Sequence, residues 1–156
     1  MTAAHPSAAL AAITLANRLD PAPNLITGGS IDAAALAQAA EAGVTSVFDL
    51  RPAAERSFDE PAVCAGLGLR YLNLPIAGAE DFTLATVQRF DALLAEAGAG
   101  PTILHCASGN RVGALMALRA AWLQQVPADQ ALATGRAHGL TRMEPIIQAL
   151  LARGPA

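Results

Sequence analysis

The segment Thr102-Ile103-Leu104-His105-Cys106-Ala107-Ser108-Gly109-Asn110-Arg111 constrains this chain more than any other. A short apolar strand runs into a turn of small residues, and a helix follows at once, reading from about Asn110 or Arg111 to Gln124. That joint belongs to an open α/β sheet, where ligands bind beyond the carboxyl ends of the strands. A helix N-terminus offers unpaired N–H groups and the positive end of a dipole. Gly109 lets the turn fold tightly enough for successive amides to point inward as a nest. Arg111 adds a planar fork able to grip two oxygens of one anion. The same field favours thiolate over thiol, and a cysteine near pKa ~8.5 can fall to roughly 3.5–7.5 in such surroundings. A lone cysteine is usually a small buried hydrophobe. Here strand, Cys106, Ser108, Gly109, Arg111 and helix arrive in the order that anion chemistry needs.

The flanking sequence sets the frame. Leu25-Ile26-Thr27 reads as a strand ending at Gly28-Gly29, and Ser30 as the cap of a helix through about Ala42. Further strands are expected at Val44 to Leu50, Leu69 to Leu74 and Thr102 to His105, with helices near Glu60 to Ala65 and over Thr83 to Ala97. After Cys106 only helices are expected: Arg111 to Gln124, Pro127 to His138, and Thr141 to Ala152, the last with a capping box Thr141-x-x-Glu144. The alternation predicts an α/β domain with a mainly parallel central sheet flanked by helices and an all-helical C-terminal third. Residues 1–156 read as one domain, with 1–16 as an N-terminal helical extension capped by Ser7, running to about Leu19 before Asp20-Pro21 stops it.

Composition excludes several classes. Hydrophobic residues make up 53% but aromatic ones only 4%, so alanine carries much of the apolar count and favours helix. Mean hydropathy is +0.37, yet no run of 18 apolar residues occurs, so no spanning helix is expected. Residues Ala8 to Ala16 lack the cationic flank and cleavage site of a signal peptide, which implies a cytoplasmic location. A net charge of −3 without a basic cluster argues against nucleic acid. Two cysteines, Cys64 and Cys106, make neither a disulfide framework nor a metal motif, and no cofactor is expected.

The Cys106–Arg111 run resembles the signature loop of cysteine-dependent protein tyrosine and dual-specificity phosphatases, which begins His-Cys and ends at Arg. Leu25-Ile26-Thr27-Gly28-Gly29, Val47-Phe48-Asp49-Leu50-Arg51-Pro52, Arg70-Tyr71-Leu72-Asn73-Leu74-Pro75-Ile76 and Ala128-Asp129-Gln130-Ala131-Leu132 are similar to the bacterial branch found with β-lactamase hydrolase-like proteins. The resemblance implies a dual-specificity-phosphatase-like fold and hydrolysis of phosphomonoesters, on protein or small molecule, through a phosphocysteine at Cys106. It makes Ala107, Ser108, Gly109, Asn110 and Arg111 the phosphate-binding residues. It places the general acid at Asp81, with Glu80 second; Asp81 equally suits a helix cap. His105 would brace the loop from beneath. Arg51, at a strand end, would add positive potential or simply be solvated.

Two departures stand out. Only four residues separate Cys106 from Arg111, one fewer than is usual in phosphatases, which resembles the loop of rhodanese-type sulfurtransferases with their persulfide cysteine. Val112 stands where many phosphatases have Ser or Thr to stabilise the leaving thiolate, a role Ser108 would have to take unless it only braces the loop. The helical C-terminal third opposes a rhodanese fold. A non-catalytic phosphate-binding module is the third reading. Cys64 is expected to be inert packing, His138 to sit at a helix C-terminus, and Trp122 to be core or rim.

Overall fold

A computed structural model describes residues 8–156. Five four-residue strands, β1 (Leu19–Ala22), β2 (Leu25–Gly28), β3 (Ser46–Asp49), β4 (Arg70–Asn73) and β5 (Thr102–His105), form one sheet in the order β1-β2-β5-β3-β4. The pairs β2–β5, β5–β3 and β3–β4 are parallel, and β1 lies antiparallel at the edge. β5, the last strand in the chain, is therefore the central one. His105 at its end is in register with Gly28 on one side and Asp49 on the other.

Strands buried on both faces alternate their side chains between two cores. On one face Phe48 and Leu104 pack with helices α4 (Leu84–Ala97), α5 (Asn110–Gln124), α6 (Ala128–Ala137) and α7 (Glu144–Arg153). Phe48 and Phe90 lie 5.6 Å apart between ring centroids, a tilted pair stabilising by about 0.5–1.5 kcal/mol beyond its buried area. On the other face Ile26, Val47 and Ile103 meet α1 (Ala8–Ala11), α2 (Ala33–Glu41) and α3 (Glu60–Leu67). The α/β class, the mainly parallel sheet and the helical C-terminal third agree with expectation.

Three local expectations fail for tertiary reasons. The N-terminal helix ends at Ala11 rather than near Leu19, and its proposed cap Ser7 lies outside the described residues. Ile13 and Leu15 are instead drawn into the α2-side core, Asn17 turns the chain at a φ of 52°, and Leu19–Ala22 becomes the edge strand. Pro21 is tolerated there because an edge strand has one unpaired side, and the β1–β2 register is irregular around it. Asp32, not Ser30, caps α2, its carboxylate accepting from the Ala35 amide at 2.8 Å. The Thr141–Glu144 capping box is absent: α7 begins at Glu144 with Met143 as N-cap and no side-chain cap bond.

The α5–α6 crossing is set by glycines. A Cβ on Gly113 would stand 2.1 Å from the Leu140 amide nitrogen and 2.6 Å from the Gly135 carbonyl oxygen. Gly66, inside α3, faces nothing within 4 Å. Urea unfolding should therefore separate the two positions. Gly113→Ala is expected to lose stability by about 3 kcal/mol or more through overpacking against backbone. Gly66→Ala is expected to gain roughly 0.5–1 kcal/mol from helix propensity.

Candidate active site

The turn after β5 is fixed by backbone before any side chain acts. The Cys106 amide donates to the Gly28 carbonyl at 3.1 Å, and the Ala107 carbonyl accepts from the Ser30 amide at 3.0 Å. Any Cβ at Gly29 would fall 2.3 Å from the Ala107 oxygen. Gly109 has a φ of 95° and serves as N-cap of α5, the left-handed geometry that the sequence demanded. Its amide donates to Cys106 Sγ at 3.1 Å. Cys106 is fully buried at the residue level, and Ser108 is half-buried.

Arg111 sits one step into α5 and reaches across to the β3–β4 side. Its Nη1 and Nη2 donate to the two oxygens of Glu55 at 2.9 and 2.7 Å, and Nη1 also donates to the Ile76 carbonyl at 2.8 Å. Three of the five N–H groups of a guanidinium are thereby committed. The Nε–H and the second Nη2–H, which share one edge of the fork, are left. The Glu55 hydrogen bond raises the Arg111 pKa, against a smaller opposing effect of burial, and the charge and hydrogen bonding of Cys106 add to the rise. Glu55 is held below the ordinary carboxylate range by the same Arg111 bond.

Beneath the loop lies a buried polar cluster. Arg51 does not face the rim: it is 4% exposed and donates through Nε and Nη2 to Asp49 and through Nη2 to Glu60 at 2.8 Å. The Tyr71 hydroxyl donates to Asp49 at 2.7 Å. Asn73 donates to the Asp49 and Arg51 carbonyls. His105 has one ring nitrogen 2.7 Å from Glu60 Oε2 and the other 3.2 Å from the Cys106 carbonyl oxygen. The imidazole is thereby fixed between the α3 carboxylate and the first carbonyl of the loop. Arg51 supplies the positive charge that faces both carboxylates. Asp49, Glu60 and His105 offer metal-type ligand atoms within 4.8 Å of one another, but the guanidinium already supplies positive charge to both acids.

The other named residues fall as follows. Ser108 Oγ faces Asn110, which donates at 3.4 Å, rather than Cys106, so it braces the loop. The Asn110 side chain turns away from the anion nest: its Oδ1 accepts from the Thr141 and Met143 amides at 2.9 and 3.1 Å, and its Nδ2 donates to Thr141 Oγ1 at 2.9 Å. This outside cap explains why the capping box is not needed. Val112 is fully buried in the core. Asp81 closes a 3-10 turn over Ala79–Asp81, its Oδ2 accepting from the Ala77 amide at 2.7 Å. Glu80 is exposed and lines a separate cavity with Phe82, Trp122 and Arg153. Cys64 is buried in α3 with its thiol pushed up to about 12, chiefly by burial. His138 ends α6, hydrogen-bonded to the Thr134 carbonyl at 2.7 Å, with its pKa lowered by burial.

Glu55, Glu60, Asp49 and Tyr71 were not singled out from sequence. Asp49 did leave a signal, a carboxylate inside the apolar run Val47-Phe48-Asp49-Leu50. Glu55 left none, because its partner is 56 positions away.

Residues 13–148 match the family model described as a DSP-PTPase phosphatase fused to NAD+ kinase. Among curated proteins no sequence matches the chain. The fold is similar to that of a DUF442 protein from Shewanella putrefaciens CN-32, with a TM-score of 0.68, 21% identity, and coverage of 89% of this chain and 88% of that one. P. aeruginosa TpbA, solved as a Cys-to-Ser variant with pTyr, gives 0.65 at 22% identity over 88% and 87% of the two chains. Tk-PTP in its active form gives 0.64 at 16% identity, covering 90% and 100%.

Stability should register the buried cluster. Burial alone would push the Asp49 carboxyl up, but the Arg51 hydrogen bond, the field of His105 and the Tyr71 hydroxyl hold it below 3.8. A depressed folded pKa contributes stability that is complete above the unfolded value and lost as pH falls through the folded one. Acid titration of urea stability should thus show a loss below about pH 4 that is smaller in Asp49→Asn. At neutral pH that variant should be weakened by roughly 3 kcal/mol, because a buried guanidinium loses a charged partner.

Proposed function

The chain belongs to the family of dual-specificity, protein-tyrosine-phosphatase-type domains described as fused to NAD+ kinase, and from that membership we propose that Cys106 hydrolyses phosphomonoesters through a phosphocysteine. Such a domain is a protein-tyrosine-phosphatase-like hydrolase. The observation that supports the reading best is the division of the Arg111 fork, with three N–H groups anchored by Glu55 and Ile76 and one edge left beside Cys106.

In the first step Cys106 Sγ attacks phosphorus as the ester P–O bond breaks. The free edge of Arg111 and the amides of residues 107–111 hold the equatorial oxygens, where preorganised donors act on developing charge without reorganisation. Asp81 gives its proton to the leaving oxygen. In the second step water attacks phosphorus, the S–P bond breaks, and Asp81 takes the proton, releasing phosphate and the Cys106 thiolate. The Gly109 amide at 3.1 Å receives that thiolate, in place of the hydroxyl that Val112 does not supply. Asp81 is favoured over Glu80 because its carboxylate is held on the Ala77 amide, next to the Ile76 carbonyl that anchors Arg111, whereas Glu80 lines another cavity.

Phosphotyrosine on a protein is the substrate class suggested by TpbA, which was solved with pTyr. A small-molecule phosphomonoester fits the same chemistry. No metal and no nucleic acid enter the scheme. A reducing cytoplasmic setting suits a nucleophilic thiol, and among the described residues no helix is long and apolar enough to cross a membrane.

The reading is tested with p-nitrophenyl phosphate in EDTA. Turnover by the wild type and none by Cys106→Ser is expected. An inactive wild type that gains one sulfur on Cys106 from thiosulfate would assign it to sulfur transfer, the reaction favoured by loop length alone. The acid is tested separately. Asp81→Asn keeps an oxygen to accept from the Ala77 amide, so the turn survives. It is expected to slow phenyl phosphate by about 10²-fold or more, and p-nitrophenyl phosphate, whose leaving group needs no proton, far less.

A further inference from the structure

We propose that a second anion subsite, centred on Arg142, borders the active loop and selects substrates that carry another phosphate group near the one removed. This deepens the phosphatase reading and rests on it.

An open cavity of about 540 Å³ abuts the loop through Ser108 and Asn110. The chain has no lysine, so all ten of its basic residues are arginines, and 13 residues are acidic. Three of the ten, Arg18, Arg136 and Arg142, line this cavity, and none of the acids does. In a chain of net charge −3 that concentration is local, not a consequence of composition.

The three arginines are not equivalent. Arg18 is paired with Asp20 at 2.8 Å and also donates to the Leu10 and Ile13 carbonyls. Arg136 is held by both oxygens of Glu144 at 2.7 and 2.8 Å. Among the described residues Arg142 has no ion-pair partner, and its side chain makes one hydrogen bond, Nη2 donating to Ser108 Oγ at 3.4 Å. It is exposed, and its fork keeps nearly all of its donors for a ligand.

Position and rigidity make Arg142 more than a surface charge. It lies between Thr141 and Met143, whose amides both donate to the Asn110 side chain. Asn110 is itself 5% exposed and belongs to the active loop. A buried amide of that loop therefore sets the backbone on either side of Arg142. Gly139 continues the clamp: it stands so close to the Gly109 carbonyl that a Cβ would come within 2.7 Å. Preorganised donors bind with less ordering cost than mobile ones.

The geometry also separates the two guanidinium groups. Arg111 reaches toward Glu55 and Ile76, which follow β3 and β4 on one side of β5. The Arg142 cavity includes Asn17 and Arg18, which precede β1 on the other side. Asn17 Nδ2 donates to the Ser108 carbonyl at 3.0 Å, tying that wall to the loop as well. A phosphoryl group on Cys106 would engage Arg111, and a second anionic group on the same molecule would engage Arg142. Phosphate, with oxygens spread on a tetrahedron, can meet the Arg142 fork and the Thr141 hydroxyl together.

The test compares kcat/KM for phenyl phosphate with that for the 1,2-, 1,3- and 1,4-benzenediol bisphosphates. At least one bisphosphate should be preferred by about tenfold or more, the scale of one charge-assisted contact. Arg142→Ala should abolish that preference ratio, and Arg142→Glu should invert it. Arg89→Ala, an exposed arginine on α4, should leave the ratio as it is, which separates a local subsite from overall charge. A wild-type ratio near one for all three isomers, or a preference that survives Arg142→Ala, overturns the subsite. Should no ester be hydrolysed, the phosphatase reading fails by itself and calorimetry decides the subsite. Methylenediphosphonate binding about tenfold tighter than inorganic phosphate, equalised by Arg142→Ala, upholds it; equal affinities in the wild type overturn it.

Discussion

The placement of one guanidinium governs the arrangement of everything above it. Arg51 is gripped by Asp49 from the end of β3 and by Glu60 from the start of α3, and Glu60 in turn holds His105 at the end of β5. Tyr71 and Asn73 of β4 complete the enclosure. Each is a polar group that would be costly to bury alone. Together they fix where the carboxyl ends of β3, β4 and β5 stand relative to one another. The loop begins at that fixed point, its first carbonyl contacted by His105. Such a network specifies one arrangement because partial satisfaction is worse than none.

On this base the loop uses two kinds of restraint. Backbone groups of Gly28, Ser30 and Gly109 set its path. Side chains then orient what it presents: Glu55 aims Arg111 and Asn110 aims the segment carrying Arg142. Neither Glu55 nor Asn110 has to touch a reacting atom in order to matter. Their effect is to remove freedom from arginine side chains, which otherwise lose about 2 kcal/mol of rotamer entropy on being ordered.

Much of this was legible in the sequence because local signals and tertiary outcome agreed. Thr102–His105 reads as a strand and is one, and Gly109 has the positive φ that a strand-to-helix nest requires. The errors occur where a distant partner overrides a local preference. Ser30 looks like a helix cap, but its amide holds the Ala107 carbonyl. Thr141 and Glu144 have capping-box spacing, but Asn110 satisfies that turn and Glu144 pairs with Arg136. The alanine-rich start suggests a long helix, and burial of Ile13 and Leu15 ends it early. Arg51 reads as a solvated strand end because Glu60, which closes the far side of its guanidinium, is nine positions away on another element.

The clamp on Ala107 closes on its carbonyl, which accepts from the Ser30 amide at 3.0 Å and the Ser30 hydroxyl at 3.4 Å, while the residue itself is exposed. Identity at that position is therefore uncoupled from the shape of the nest. A lineage, or a protein engineer, can vary residue 107 and change the outer surface of the loop while the polar cluster beneath stays unchanged.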